Sequence, residues 1–110
     1  MAIRIEKPWQ RLTPEAVRAL PGQLGVYQLG DARGHVIAIG YAGGYALFGL
    51  RSAIEQARVA HAGAVQFRYE VTQQYMSRYD ELLMLHLADH GTLPAENRDD
   101  VSTLGRLSPL

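Results

Sequence analysis

The sequence predicts a small fold of the α/β class, of the α+β type, in which a mainly antiparallel sheet of three strands is flanked by about three helices. Two short β-rich runs between Gly25 and Gly40 are separated by residues 30–34, which have the composition of a turn. Apolar residues then recur at helical spacing over 50–60, and apolar and polar residues alternate strictly over 66–72. A chain of 110 residues is the size of one domain, so the whole chain is expected to form a single unit.

The first predicted element is a short helix that begins at Thr13. Thr13 is a typical N-cap residue, Pro14 suits the first helical position, and Glu15 adds an acid to the first turn. The helix is expected to stop before Pro21. The hairpin follows it, and after the hairpin comes the loop Tyr41–Tyr45. The paired glycines of this loop can bring backbone close to a ligand, or they can simply turn the chain.

The second half of the chain predicts a helix, a strand and another helix. Residues 50–60 form an amphipathic pattern with Arg51 in the first turn, and Phe67, Tyr69 and Val71 share one face of the following strand. Ser77 is the expected cap of the last helix, which is apolar on nearly all sides and is therefore predicted to be buried against the sheet.

Composition limits the classes of function. The chain has 47% hydrophobic residues and no cysteine, so we expect a packed core, and any catalysis must use oxygen, imidazole or guanidinium groups. The 11 basic and 11 acidic residues cancel, so a nucleic-acid partner needs a local patch. No apolar run is long enough to span a membrane and Met1–Gln10 lacks the pattern of a signal peptide, so we expect a cytoplasmic protein without a membrane partner.

Two short motifs stand at matching positions in the predicted hairpin. Gly25-Val26-Tyr27 opens its first strand after a Leu-Pro turn, and Ala38-Ile39-Gly40 closes its second strand. This hairpin resembles the opening hairpin of the GIY-YIG nuclease superfamily. Within that superfamily, the pattern is closest to the N-terminal incision domain of the bacterial excision-repair nuclease UvrC.

The order of the later elements also agrees with that resemblance. A helix carrying Arg51 near its start is followed by a strand, a buried helix and a closing Pro94-x-x-Asn97. The resemblance covers about residues 20–97 and leaves residues 98–110 as a C-terminal tail. It implies a GIY-YIG-like fold for the chain.

The resemblance also implies a chemistry, the magnesium-dependent hydrolysis of phosphodiesters, with Mn²⁺ as the other candidate ion. Such a reaction must orient and deprotonate water and neutralise the charge that gathers on the phosphoryl oxygens. The family implies Tyr27 as the residue that positions water and Arg51 as the residue that binds the phosphate. It implies Gly25, Gly40 and Asn97 as supporting residues.

Two positions depart from the family pattern. The second tyrosine of the motif falls at Ala38, which has no side-chain hydrogen-bonding group, and the metal-binding glutamate falls at Leu85. Glu81 lies one helical turn before Leu85 and is the replacement candidate for the metal ligand. Tyr41 is the replacement candidate for the missing phenol, although strand alternation places it on the other face from Ala38.

Three further residues are candidate nucleic-acid contacts. Arg68, Arg78 and Tyr45 can contact phosphates or stack on bases, and ordinary packing in the sheet is the alternative for this region. Tyr45, in the glycine loop, is also a second source of the missing phenol. His86 and His90 lie four apart and can hold a metal ion from one helical face, or they can be a core histidine and a helix-ending histidine.

The sequence therefore leaves two main classes of function, besides a metal enzyme unrelated to nucleases, which would need an ion bound at His86 and His90. The first is a GIY-YIG-type domain that processes nucleic acid, either as an endonuclease or as a relative that only binds. The second is a non-catalytic scaffold that uses the glycine loop and the tyrosines to bind a protein or a small ligand. Because the chain is short and neutral, a partner protein or a homodimer is expected to supply affinity for nucleic acid.

Overall fold

A single antiparallel sheet organises the chain. The structure, a computed structural model, describes residues 4–44 and 46–100. The strands lie side by side in the order β1-β4-β2-β3. The elements in chain order are β1 (Gln10–Arg11), α1 (Pro14–Arg18), β2 (Gly25–Gly30), β3 (Val36–Ala42), α2 (Leu50–Ala60), β4 (Gln66–Val71), α3 (Tyr75–His90) and a 3₁₀-helix (Ala95–Asp100).

The α+β fold is confirmed, but the described part of the sheet has four strands rather than the predicted three. The additional strand, β1, has only two residues, and Gln10 pairs with Phe67 at the edge of the sheet. Both residues of β1 are exposed. A two-residue exposed strand has no room for alternation of apolar and polar residues, so its sequence carries no strand signal.

The predicted hairpin is β2 and β3. Asp31 organises its turn, because its carboxylate accepts hydrogen bonds from the backbone N–H groups of Arg33 and His35 at 2.9 Å. Gly34 has a φ of 85°, in the left-handed region that glycine adopts without steric cost. The turn composition therefore predicted this connection correctly.

Two apolar layers lie on opposite faces of the sheet. On the first face, α1 and α2 pack against the strands, and the buried residues include Val17, Leu29, Ile54 and Phe67. The N-cap of α1 is Thr13, as predicted, and its hydroxyl accepts from the N–H of Ala16 at 3.1 Å. We call this side of the sheet the α2 face.

The second face of the sheet is covered by α3 and the N-terminal segment, and we call it the α3 face. Val26, Ile39, Leu82 and Leu83 are buried there, together with Ile5. Because β2 lies between β4 and β3, its side chains are buried on both faces. Helices therefore cover the central strands on both sides, which fixes where each functional candidate points.

Helix α3 differs from its prediction in two respects. It begins at Tyr75, with Gln74 rather than Ser77 at the N-cap position, and no side chain caps it. It is also buried on one side only, because Met84 remains 59% exposed and Leu87 41% exposed. A helix packed on a sheet buries the stripe that faces the strands, so the remaining apolar residues stay in water. No helix in the described part of the chain is long and apolar enough to cross a membrane.

Candidate functional site

Tyr27 and Gly40 are direct partners across the β2–β3 hairpin. The ring of Tyr27 lies so close to Gly40 that a Cβ there would collide with its Cζ and hydroxyl oxygen. The ring packs against the core of the α2 face, and burial raises the pKa of Tyr27 to about 12. At neutral pH Tyr27 is therefore a neutral phenol whose ring needs a glycine opposite it.

Gly25, the first residue of the predicted motif, is also required by close packing. A Cβ at Gly25 would collide with the backbone oxygen of Glu70 on β4 and would lie 3.0 Å from the Leu50 side chain. Both supporting glycines thus have a structural reason that is independent of any catalysis. Gly25 allows β2 to lie close to β4 and α2, and Gly40 leaves space for the Tyr27 ring.

Arg51 lies in the first turn of α2, on the same side of the sheet as Tyr27. Its Nε donates to the backbone oxygen of Leu20 at 3.1 Å, and its guanidinium lies 5.8 Å from the centroid of the Phe48 ring. Among the described residues it forms no ion pair. Arg51 thus ties the start of α2 to the segment that follows α1 and keeps its charge available for an anion.

Glu81 lies on the other side of the sheet from Tyr27. Its carboxylate pairs with Arg78, and the Nε of Arg78 donates to Glu70 at 2.7 Å. Glu70 is the cross-strand partner of Val26, so it points to the α3 face, whereas Tyr27 points to the α2 face. The expectation that Glu81 shares a pocket with Tyr27 is therefore not met, because the sheet separates them.

The residues present do not fit the magnesium ion that the resemblance implies. Leu85 has no ligand atom, and the carboxylate of Glu81 is engaged by the guanidinium of Arg78. Nowhere in residues 4–44 and 46–100 do three or more His, Cys, Asp or Glu side chains gather in a group that could hold a metal ion. A hard divalent cation prefers several carboxylate or carbonyl oxygens, which this arrangement does not offer.

The replacement phenol Tyr41 does not reach Tyr27 either. Tyr41 stacks on Tyr75 of α3 with ring centroids 5.7 Å apart and meets Tyr79 edge-on at 5.0 Å. It therefore lies on the α3 face, as strand alternation predicted, while Ala38 is buried in the core of the α2 face. The other candidate phenol, Tyr45, lies outside the described residues.

Asn97 fastens the 3₁₀-helix to β3. Its side chain accepts from the N–H of Ile39 at 2.7 Å and donates to the oxygen of the same residue at 2.8 Å. It also donates to the hydroxyl of Tyr79 at 3.3 Å, and it is only 6% exposed. Asn97 is thus a buried amide that bonds to β3 as a neighbouring strand would.

The two arginines predicted to contact nucleic acid are held differently. Arg78 forms ion pairs with both Glu70 and Glu81, so its charge is neutralised within the protein. Arg68 donates to the side-chain oxygen of Gln28 at 2.7 Å and stacks over Trp9, with 4.2 Å between its guanidinium carbon and the ring centroid. Only Arg68 of this pair keeps an unbalanced charge in the described structure.

A cavity that the sequence did not predict lies between the glycine loop and α2. It has a volume of about 600 Å³, and its lining includes Tyr41, Gly43, Leu47, Phe48 and Ser52. Leu47 and Phe48 are exposed although they are large and apolar. The signal that could have located this cavity is the run Ala46-Leu47-Phe48, which is apolar and follows a glycine-rich turn.

The fold and this cavity define a small α+β domain with a loop-lined cavity. The chain belongs to the family described as a domain of unknown function (DUF7508), whose model matches residues 3–89. Comparison with curated proteins and with solved structures gave no match.

Proposed function

We propose that this chain is a non-catalytic binding domain with a GIY-YIG-like fold, and that the cavity beside the glycine loop holds a small neutral ligand. The observation that carries the proposal is this cavity of about 600 Å³, which lies directly after the second half of the predicted motif. Its volume is within the range of about 300–1,000 Å³ found for small-molecule sites. The GIY-YIG resemblance itself is supported by the element order and by the packing of Tyr27 on Gly40.

The chemistry of the lining favours a neutral, largely apolar ligand. None of the lining residues is acidic or basic, and Leu47 and Phe48 offer exposed apolar surface. The polar side chains of the lining are few, namely Tyr41, Ser52 and Gln56, and the ring of Tyr41 stacks on α3. Such a surface gains free energy by covering its apolar atoms, and a phosphate has no counter-charge within it.

The separation of Tyr27 from Glu81 supports a function without catalysis. The phenol and the carboxylate lie on opposite faces of the sheet, so a water and a phosphate cannot contact both. Ala38 and Leu85 add to this, since neither can replace the missing phenol or the missing carboxylate.

The test uses small neutral probes and backbone amide NMR of the whole chain. Indole and p-cresol are titrated into the protein, and we expect saturable shifts at Gly43, Ala46, Leu47 and Ser52. Phe48→Ala should weaken probe binding about tenfold, because it removes an aromatic wall. Met84→Ala is the matched control, since Met84 is equally exposed but lies on α3. Shifts that are absent, or that are as large along α3 as along the loop, contradict the proposal.

A second candidate is a nucleic-acid-binding relative of the nucleases, and one observation favours it. Arg51 and Arg68 form no ion pair within the described residues, so each can neutralise a phosphate. Binding to single-stranded and duplex oligonucleotides that falls steeply with salt, and that Arg51→Gln weakens, would favour this candidate. Arg18→Gln is the control, because Arg18 is an exposed arginine paired with Glu15.

A further inference from the structure

A second, smaller cavity lies on the α3 face, away from the glycine loop. It has a volume of about 90 Å³ and is enclosed by the N-terminal segment, the sheet and the last turns of α3. Its polar lining consists of Arg4, Gln28, Arg68, His86, Asp89 and His90. The proposed cavity beside the glycine loop uses none of these residues, although Arg68 also enters the second candidate function.

Arg68 brings an unbalanced positive charge to this cavity. Its Nε donates to Gln28, which is only 7% exposed, and one Nη donates to the backbone oxygen of Lys7 at 3.2 Å. No carboxylate among the described residues pairs with it. A guanidinium carries five N–H donors, so these two bonds leave three for other partners. Burial lowers the pKa of Arg68, as expected when a charge has lost water without gaining a counter-ion.

The two histidines bring proton-dependent donors to the same cavity. Their ring centroids lie 4.4 Å apart, and Nδ1 of His86 is 2.9 Å from the backbone oxygen of Thr92. Because a carbonyl oxygen only accepts, this nitrogen carries a proton, and Nε2 is left as the titrating atom. Burial lowers the pKa of His86, and the neighbouring His90 lowers it further. The negative charge of an anion in the cavity would raise this pKa.

Electrostatics decides between a cation and an anion for this cavity. Among the residues that the structure describes, Asp89 is the only carboxylate that lines it, and Asp89 is held by two hydrogen bonds from Arg4, at 2.7 and 2.6 Å. Glu6 and Lys7, on the flanking segment, have opposite charges and cancel. The charge of Arg68 is therefore left over even when both histidines are neutral. A metal ion bound by the two imidazoles would face this repulsion without a third ligand.

We infer that this cavity is a binding site for a phosphate group, either inorganic phosphate or the terminal phosphate of a small molecule. The guanidinium of Arg68 donates to the phosphate oxygens, and the imidazoles of His86 and His90 lie at the same cavity as further hydrogen-bonding groups. The volume accommodates one tetrahedral anion. A phosphate anion favours the protonated imidazole of His86, so phosphate binding and protonation of His86 strengthen each other.

The test is a titration of inorganic phosphate into the whole chain, followed through the imidazole NMR signals at constant ionic strength and at about pH 6.5, near the ordinary pKa of histidine. We expect saturable shifts at His86 and His90, and a rise of the His86 pKa when phosphate is bound. Arg68→Gln should weaken binding at least about tenfold, because it removes a charge-assisted donor. Arg33→Gln, an exposed arginine in the hairpin turn, is the control and should leave binding unchanged.

A second variant and three further ligands complete this test. Should Arg68→Gln fail to fold, His90→Gln is the second variant. Because His90 is exposed at the end of α3, this substitution should weaken phosphate binding without unfolding the protein. A phosphate monoester that binds more tightly than inorganic phosphate identifies a small-molecule phosphate as the source. Acetate shifts equal to those of phosphate, no saturation with phosphate, or tighter binding of Zn²⁺ than of phosphate would each overturn the inference.

Discussion

Gly40 is a residue whose identity is determined by packing. The Tyr27 ring, on the directly paired residue of β2, occupies the space that a side chain at Gly40 would need. The glycine in the second half of the predicted motif is therefore explained by packing, because a side chain at this position would overlap the Tyr27 ring.

Replacing this glycine tests the packing directly. Gly40→Ala should lower the free energy of unfolding by about 1–3 kcal/mol, the usual effect of overpacking. Gly44→Ala is the control, because a Cβ at Gly44 meets nothing within 4 Å, and its effect should be close to zero. Urea unfolding followed by circular dichroism gives both values. Equal stability of Gly40→Ala and the unmodified protein would contradict the packing of Tyr27.

The buried phenol of Tyr27 also predicts a dependence of stability on pH. Its pKa is about 12 in the folded chain, against 10.0 for an unperturbed tyrosine. Below pH 10 both states are protonated and the stabilisation is complete, whereas between pH 10 and 12 only the unfolded state ionises and stability falls. The loss from this group is roughly 3 kcal/mol by the upper end of that window.

Urea unfolding at a series of alkaline pH values measures this loss. Tyr27→Phe has no hydroxyl to ionise, so the free energy of unfolding of this variant should fall less steeply over the same pH range. Parallel curves for the two proteins would show that the phenol of Tyr27 titrates normally.

At the scale of the elements, the hairpin and α1 follow from local signals, whereas the exposure of α3 does not. The turn of the hairpin and the Thr13 cap of α1 are each encoded by a few neighbouring residues, and both predictions are confirmed. The pattern of α3 is apolar on nearly all sides, and local sequence cannot say which side meets the sheet. Only the packing of Leu82 and Leu83 against β2 and β3 selects the buried stripe.

Neighbouring residues of α3 give a matched pair of predictions. Leu83 is buried and Met84 is mostly exposed, although both are large and apolar. Leu83→Ala should destabilise the protein by about 2–5 kcal/mol, because it opens a cavity, while Met84→Ala should change stability by less than about 1 kcal/mol. Thermal or urea unfolding of the two variants gives the comparison. Similar losses for both would mean that the outer side of α3 is covered by another surface.

At the scale of the whole molecule, the sheet decides which predicted residues can act together. Tyr27 and Arg51 lie on the α2 face, and Glu81 lies on the α3 face with its carboxylate engaged by Arg78. The sequence supplied each residue but could not supply this separation, because strand register determines which face each strand residue joins. Residue 41 was the exception, since its distance of three positions from Ala38 already predicted opposite faces.

The two cavities could not be predicted from the sequence, because each is formed by segments that only the fold brings together. The lining of the larger one combines the glycine loop with the side of α2, and the smaller one combines three segments that are distant in the chain. Local patterns report which residues are apolar or charged, but cavity shape depends on how far apart the packed elements lie. The fold class was therefore accessible from the sequence, while the binding surfaces required the tertiary arrangement.

The measurement that tests the central claim most directly is a cleavage assay with Mg²⁺ or Mn²⁺ on single-stranded, duplex and branched nucleic acids. Because the sheet separates Tyr27 from Glu81, we predict no metal-dependent cleavage by the unmodified chain. Metal-dependent cleavage that is lost in Tyr27→Phe, Arg51→Ala and Glu81→Gln alike would contradict this account, since it would mean that the three side chains act at one phosphate.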